Sequence, residues 1–86
     1  MNSVVFTNPQ TKYREEAFGG IACCNSRLYL LDRKYISVLR CLGRPQLYTR
    51  LSTTDQKIVK RLIADSLVLE IDEKRADALG NGKLWH

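Results

Sequence analysis

The side chains able to do chemistry in this 86-residue chain are few, and their spacing limits what they can do. Three cysteines (Cys23, Cys24 and Cys41) and one histidine, His86, are the soft metal donors and nucleophile–base candidates. A zinc site takes three or four such ligands at close spacing, and here there is no CxxC, no HExxH and no compact cysteine trio. Adjacent Cys23 and Cys24 would close only a strained ring, and an odd count makes no disulfide framework. Free buried thiols in a reducing, cytoplasmic setting are therefore expected. A nucleophile needs a base oriented beside it, which His86, placed by sequence on a tail, does not offer Cys or Ser. Glu15 and Glu16 are paired in sequence only, because neighbours on a strand point to opposite faces. Gly19-Gly20 lacks the Lys-Ser/Thr of a phosphate loop and reads as a turn or bulge. No catalytic constellation emerges. The chain is expected to bind rather than catalyse, with no metal or cofactor of its own.

Charge is the stronger signal. The formal net charge is +5, divided as +3 over residues 1–43, +3 over 44–66 and −1 over 67–86. The cationic excess lies in the body of the chain, which favours an acidic partner: nucleic acid, an acidic peptide or an acidic protein face. Eighty-six residues with 44% hydrophobic side chains suit one small domain with a thin core. No apolar run approaches the roughly 20 residues of a membrane span, and the first residues do not resemble a secretory signal. A transmembrane or secreted protein is not expected.

These residues must be held by short elements. Residues 1–12 pair the β-prone Val4-Val5-Phe6 with a turn-rich Thr7-Asn8-Pro9-Gln10, read as a loose arm or an edge strand. Tyr13–Phe18, Ile21–Cys24 and Arg27–Leu31 read as three strands of an antiparallel meander, with Asn25-Ser26 as a two-residue turn. The period then changes. Asp32 is a suitable N-cap, and Tyr35, Ile36, Val38, Leu39 and Leu42 form one helical face closed by Gly43 in the left-handed conformation. Gln46–Leu51 reads as a short helix. Thr53-Thr54-Asp55-Gln56 reads as a capping box opening a third, with Ile58, Val59, Leu62, Ile63 and Leu67 on its stripe. Val68–Ile71 is β-prone and wing-like. From Asp72 a mobile tail is expected, in which Leu84-Trp85-His86 is the one feature able to dock.

The run Arg27-Leu28-Tyr29-Leu30-Leu31-Asp32, followed by Val38-Leu39 and Gly43, resembles the PqqD-like family of peptide-recognition domains. Leu62-Ile63-Ala64-Asp65-Ser66-Leu67-Val68 is similar to the close of the family's last helix, with Ser66 where glycine is usual. The resemblance covers Tyr13 to Ile71. It implies a small α+β, winged helix-turn-helix-like domain: an N-terminal three-stranded antiparallel sheet followed by three helices. The peptide-binding domain would then be residues 13–71, with an arm at 1–12 and a tail at 72–86.

Members of that family are recognition elements for ribosomally made, post-translationally modified peptides (RiPPs). The resemblance implies that the leader of a precursor peptide adds as a strand beside Arg27–Leu31 and packs in a groove against the third helix. Arg27, Leu28, Tyr29, Leu30, Leu31, Lys57, Lys60, Arg61 and Ala64 would line that groove. It also implies a partner modifying enzyme, often a radical S-adenosylmethionine maturase, which would carry its own iron–sulfur cluster. The free groups of an edge strand supply affinity, Tyr29 offers apolar area with a hydroxyl, and Lys57, Lys60 and Arg61 could pair with leader carboxylates. The second reading is a winged-helix DNA-binding regulator, with Gln56, Lys57, Lys60 and Arg61 facing the groove of a duplex.

Overall fold

The computed structural model describes residues 3–79. Among them are two three-stranded antiparallel sheets and three α-helices, a small α+β architecture. The elements in chain order are β1 (Ser3–Thr7), β2 (Lys12–Glu16), β3 (Gly19–Cys24), β4 (Arg27–Asp32), α1 (Arg33–Cys41), β5 (Gln46–Leu47), α2 (Thr53–Ala64), β6 (Val68–Asp72) and α3 (Glu73–Leu79). A 3-10 turn, Tyr48–Arg50, stands between β5 and α2, where a full short helix is expected from the sequence.

The expected meander forms as one sheet, ordered β2-β3-β4. Its β3–β4 turn is Asn25-Ser26, both residues at positive φ (53° and 66°), as a two-residue hairpin loop matching strand twist requires. Gly19 and Gly20 do not make the preceding turn, which falls at Ala17-Phe18; they open β3 instead. Their value lies in close approach. A Cβ on Gly20 would collide with the Ile36 side chain of α1, and one on Gly19 (φ +145°) with the backbone where β4 passes into α1.

The second sheet, β5-β1-β6, is the main departure from the sequence reading. The segment expected as a loose arm or edge strand is its central strand, pairing Val4 with both Leu47 and Ile71. Val4 and Val5 are both fully buried although successive strand residues face opposite ways. Val5 joins the main core with Ala22, Leu31, Ile36, Leu39, Val59, Leu62, Leu67 and Val68, whereas Val4 packs with Leu47 and Ala76 in a second, smaller cluster. The expected tail from Asp72 is also corrected: Asp72 Oδ1 accepts from the Lys74 N–H at 2.8 Å and starts α3, whose Ala76 is buried against Val4. Leu84-Trp85-His86 lies outside the described residues.

Helix ends differ from expectation for definable reasons. Asp32 occupies the N-cap of α1 but makes no side-chain capping bond. That helix closes without a left-handed glycine at Gly43. Thr7 takes over instead, its N–H donating to the Leu42 carbonyl (2.8 Å) and its Oγ1 to the Leu39 carbonyl (2.7 Å). The α2 cap is one residue earlier than expected: Ser52 Oγ accepts from the Asp55 N–H at 3.1 Å. Gln56 is thereby released from the capping role, and its Nε2 bonds the Tyr48 and Leu51 carbonyls.

The far end of α2 is a Schellman closure, with Leu67 N–H to the Leu62 carbonyl and Ser66 N–H to the Ile63 carbonyl, both 3.0 Å. Ser66 itself holds φ +64°, a conformation glycine adopts at less cost. Asn8 Nδ2 donates to its carbonyl at 2.9 Å, tying the β1–β2 connection to the end of α2.

Candidate functional site

The strand β4 lies at the edge of its sheet. The two-residue turn makes Cys24↔Arg27 a hydrogen-bonded pair, and alternation along the ladder then assigns the rest. Tyr29 and Leu31 spend their N–H and C=O groups on β3. Leu28 and Leu30 turn theirs to the open edge.

Side chains alternate in the same frame. Tyr29 and Leu31 face the core side, half-buried and buried, whereas Leu28 and Leu30 are 73% and 76% exposed. On that outer face Leu28 lies across from Cys23 and Leu30 across from Ile21, with Lys12 and Arg14 beyond them on β2. An antiparallel sheet with one wet face ordinarily puts polar residues there. Here it carries two bare leucines.

The opposite edge of the sheet is a useful contrast. Four of the five β2 residues are Lys12, Arg14, Glu15 and Glu16, and Arg14–Glu16 (2.6 Å) and Glu15–Arg40 form ion pairs. Charged edges of this kind resist strand addition. Within β4, charge is confined to the two ends, Arg27 and Asp32.

Between β4 and α2 runs a groove. A cavity of about 390 Å³ is lined by Leu28–Asp32, Tyr35, Arg61 and Asp65. A second, of about 310 Å³, continues past the turn and is lined by Cys24, Asn25, Arg27, Tyr29, Asp65 and Ser66. Together they follow the whole length of β4.

Of the residues expected from sequence, the groove gathers Arg27, Leu28, Tyr29, Leu30, Leu31 and Arg61. Lys57, Lys60 and Ala64 are exposed on α2 but outside its lining. Lys60 precedes Arg61 directly and so points about 100° away around the helix. Sequence reasoning missed Cys24, Asn25, Asp32, Tyr35, Asp65 and Ser66. Asp65 had a signal: it stands four residues after Arg61, on the same helical row, and pairs with it loosely at 3.8 Å.

The electrostatics are consequently mixed. Two cations, Arg27 and Arg61, and two carboxylates, Asp32 and Asp65, line the groove, so it is not the uniformly basic surface that the net charge suggests. Among the described residues no three His, Cys, Asp or Glu side chains gather as a metal site, and no helix is long and apolar enough to cross a membrane. No protein-family model matches the chain, and neither a curated protein nor a solved structure matches it.

Proposed function

We propose that this chain is a PqqD-like recognition domain that binds the leader of a ribosomally made precursor peptide by strand addition at β4 and delivers it to a modifying enzyme. One observation carries the reading: a strand edge that is apolar between its two charged ends opens onto a groove whose other wall is a helix. Leu28 and Leu30 offer the incoming backbone two donors and two acceptors. Alternate side chains of the added strand would lie beside Leu28 and Leu30 on the outer face, and the others in the groove toward Tyr29, Tyr35 and Arg61.

Magnitudes assign the roles. Fully burying a leucine gains about 1.5–3 kcal/mol, whereas an exposed ion pair contributes about 0.2–1 kcal/mol. Affinity would come from the two leucines and the main-chain bonds. Arg61, 71% exposed, would select the peptide's charge and register. The chain would act as an accessory binding protein, and a radical S-adenosylmethionine maturase is the enzyme class that the resemblance favours.

A second reading rests on Lys57 and Lys60, exposed on α2 and unused by the groove. With β6 following α2, they suit a winged-helix domain on DNA. Fluorescence anisotropy distinguishes the two, using a labelled leader from a precursor encoded beside this protein and a random DNA duplex. Saturable leader binding that persists as salt rises supports peptide recognition. Duplex binding with a steep salt slope, and none to leader, overturns it.

A further inference from the structure

We infer that the solvent face of α1 binds the phosphate backbone of a nucleic-acid duplex without reading its sequence. The inference is independent of the peptide reading and uses side chains that do not line the groove beside β4.

Between Asp32 and Asp55 the chain has no acidic residue but five cations, Arg33, Lys34, Arg40, Arg44 and Arg50. The remaining cations and carboxylates balance, so this one stretch carries the whole net charge of +5. The packing of α1 turns much of that charge to one side. Ile36, Val38 and Leu39 face the core, and the exposed residues of the helix are Arg33, Lys34, Ser37, Arg40 and Cys41. Arg33, Ser37 and Arg40 follow at spacings of four and three, which places them on one helical row. Lys34 and Cys41 flank that row, and the exposed Arg44 stands just past the helix end. Arg33 Nη2 donates to the Ala17 carbonyl at 3.0 Å, and Arg40 pairs with Glu15. Among the described residues Lys34 and Arg44 have no acidic partner.

The character of the face selects the partner. It has no exposed aliphatic or aromatic side chain, which a protein interface needs at its centre and an interfacial helix needs to enter a lipid surface. Three of its four cations are arginines, whose planar forks match phosphate oxygens bidentately, and the Ser37 hydroxyl is a further phosphate donor. From Arg33 to Cys41 the helix rises about 12 Å. A duplex strand carries one phosphate per roughly 3.4 Å of its axis, so three or four phosphates lie along that length, against four cations. Contacts of this kind are open to any sequence, because phosphates carry no sequence information.

Anisotropy titration of the full chain against a labelled random-sequence DNA duplex, from about 50 to 200 mM salt, tests this. Binding is expected, with log K falling linearly in log salt at a slope of about −3.6 for four phosphate contacts. Lys34→Gln combined with Arg44→Gln should flatten that slope by about 1.8 and weaken binding about tenfold or more at the lowest salt, with leader affinity unchanged. Glu15→Gln, which frees Arg40 for phosphate, should tighten duplex binding about twofold. Circular dichroism checks the fold of each variant. An unaltered slope in the Lys34 and Arg44 double variant overturns the inference. So does flattening by Lys57→Gln with Lys60→Gln instead, which would move the duplex to α2. Equal or tighter binding to polyglutamate, or to vesicles containing phosphatidylserine, overturns it as well. Absence of duplex binding removes this inference alone, because leader binding is read in a separate titration.

Discussion

Tyr29 of β4 and Asp65 at the end of α2 line both cavities beside the strand, so sheet edge and helix end bound one continuous groove. Asp65 is held there by the closure of α2, with its N–H on the Arg61 carbonyl at 3.2 Å. Tyr29 is held by packing against the main core. The groove is thus bounded chiefly by a strand ladder and a capped helix, with the turn residue Asn25 and Ser66 at one end.

The helix face should divide sharply in function. Arg61→Glu should weaken leader binding about tenfold, because it leaves Asp65 and the new carboxylate together in the groove. Lys57→Glu and Lys60→Glu should stay within about twofold of the parent, since neither side chain lines the groove. Anisotropy titrations of the three single variants against one labelled leader measure this. Equal losses from all three would mean that the whole basic face is the binding surface.

Gly20→Ala should cost about 1–3 kcal/mol, because its methyl meets the Ile36 side chain, which must shift within a packed core, and the Arg14 carbonyl oxygen at 2.8 Å. Gly19→Ala should cost more: all three nearest obstructing atoms are backbone, including Arg33 N at 2.7 Å, and its φ of +145° disfavours any L side chain. Urea denaturation gives both values. The reverse order would show that the β4–α1 junction yields more easily than the core.

Ser66→Gly should stabilise the fold by about 0.5–1 kcal/mol, since glycine takes positive φ without the serine's steric penalty. The Schellman bonds and the Asn8 bond use only the backbone of residue 66, so they survive the change. A shift in the urea midpoint with unchanged slope is the expected signature.

The hairpin was legible in sequence because its determinants are local: a two-residue turn in positive φ and alternation in Arg27–Leu31. The stripes of α1 and α2 were legible for the same reason. The central place of β1 was not. Val4 finds Leu47 and Ile71 far along the chain, and a five-residue strand carries no local mark of where its partners lie. The alternation in β4 separated Leu28 and Leu30 from Tyr29 and Leu31, but both sets are apolar, so the pattern alone did not say which faces water. Arg61 and Lys60 were likewise inseparable until the packing of α2 fixed its rotation about its axis.

The account's central claim is that an incoming peptide strand pairs with the main chain of Leu28 and Leu30. Residue-resolved amide hydrogen exchange, with and without saturating leader, tests it most directly. In the free protein the Leu28 and Leu30 amides should exchange rapidly while Tyr29 and Leu31, bonded to β3, are protected. On binding, Leu28 and Leu30 should slow by about tenfold or more, which is the signature of a new ladder. Leader bound at saturation with both amides still exchanging rapidly, and protection appearing instead along α2, would contradict strand addition.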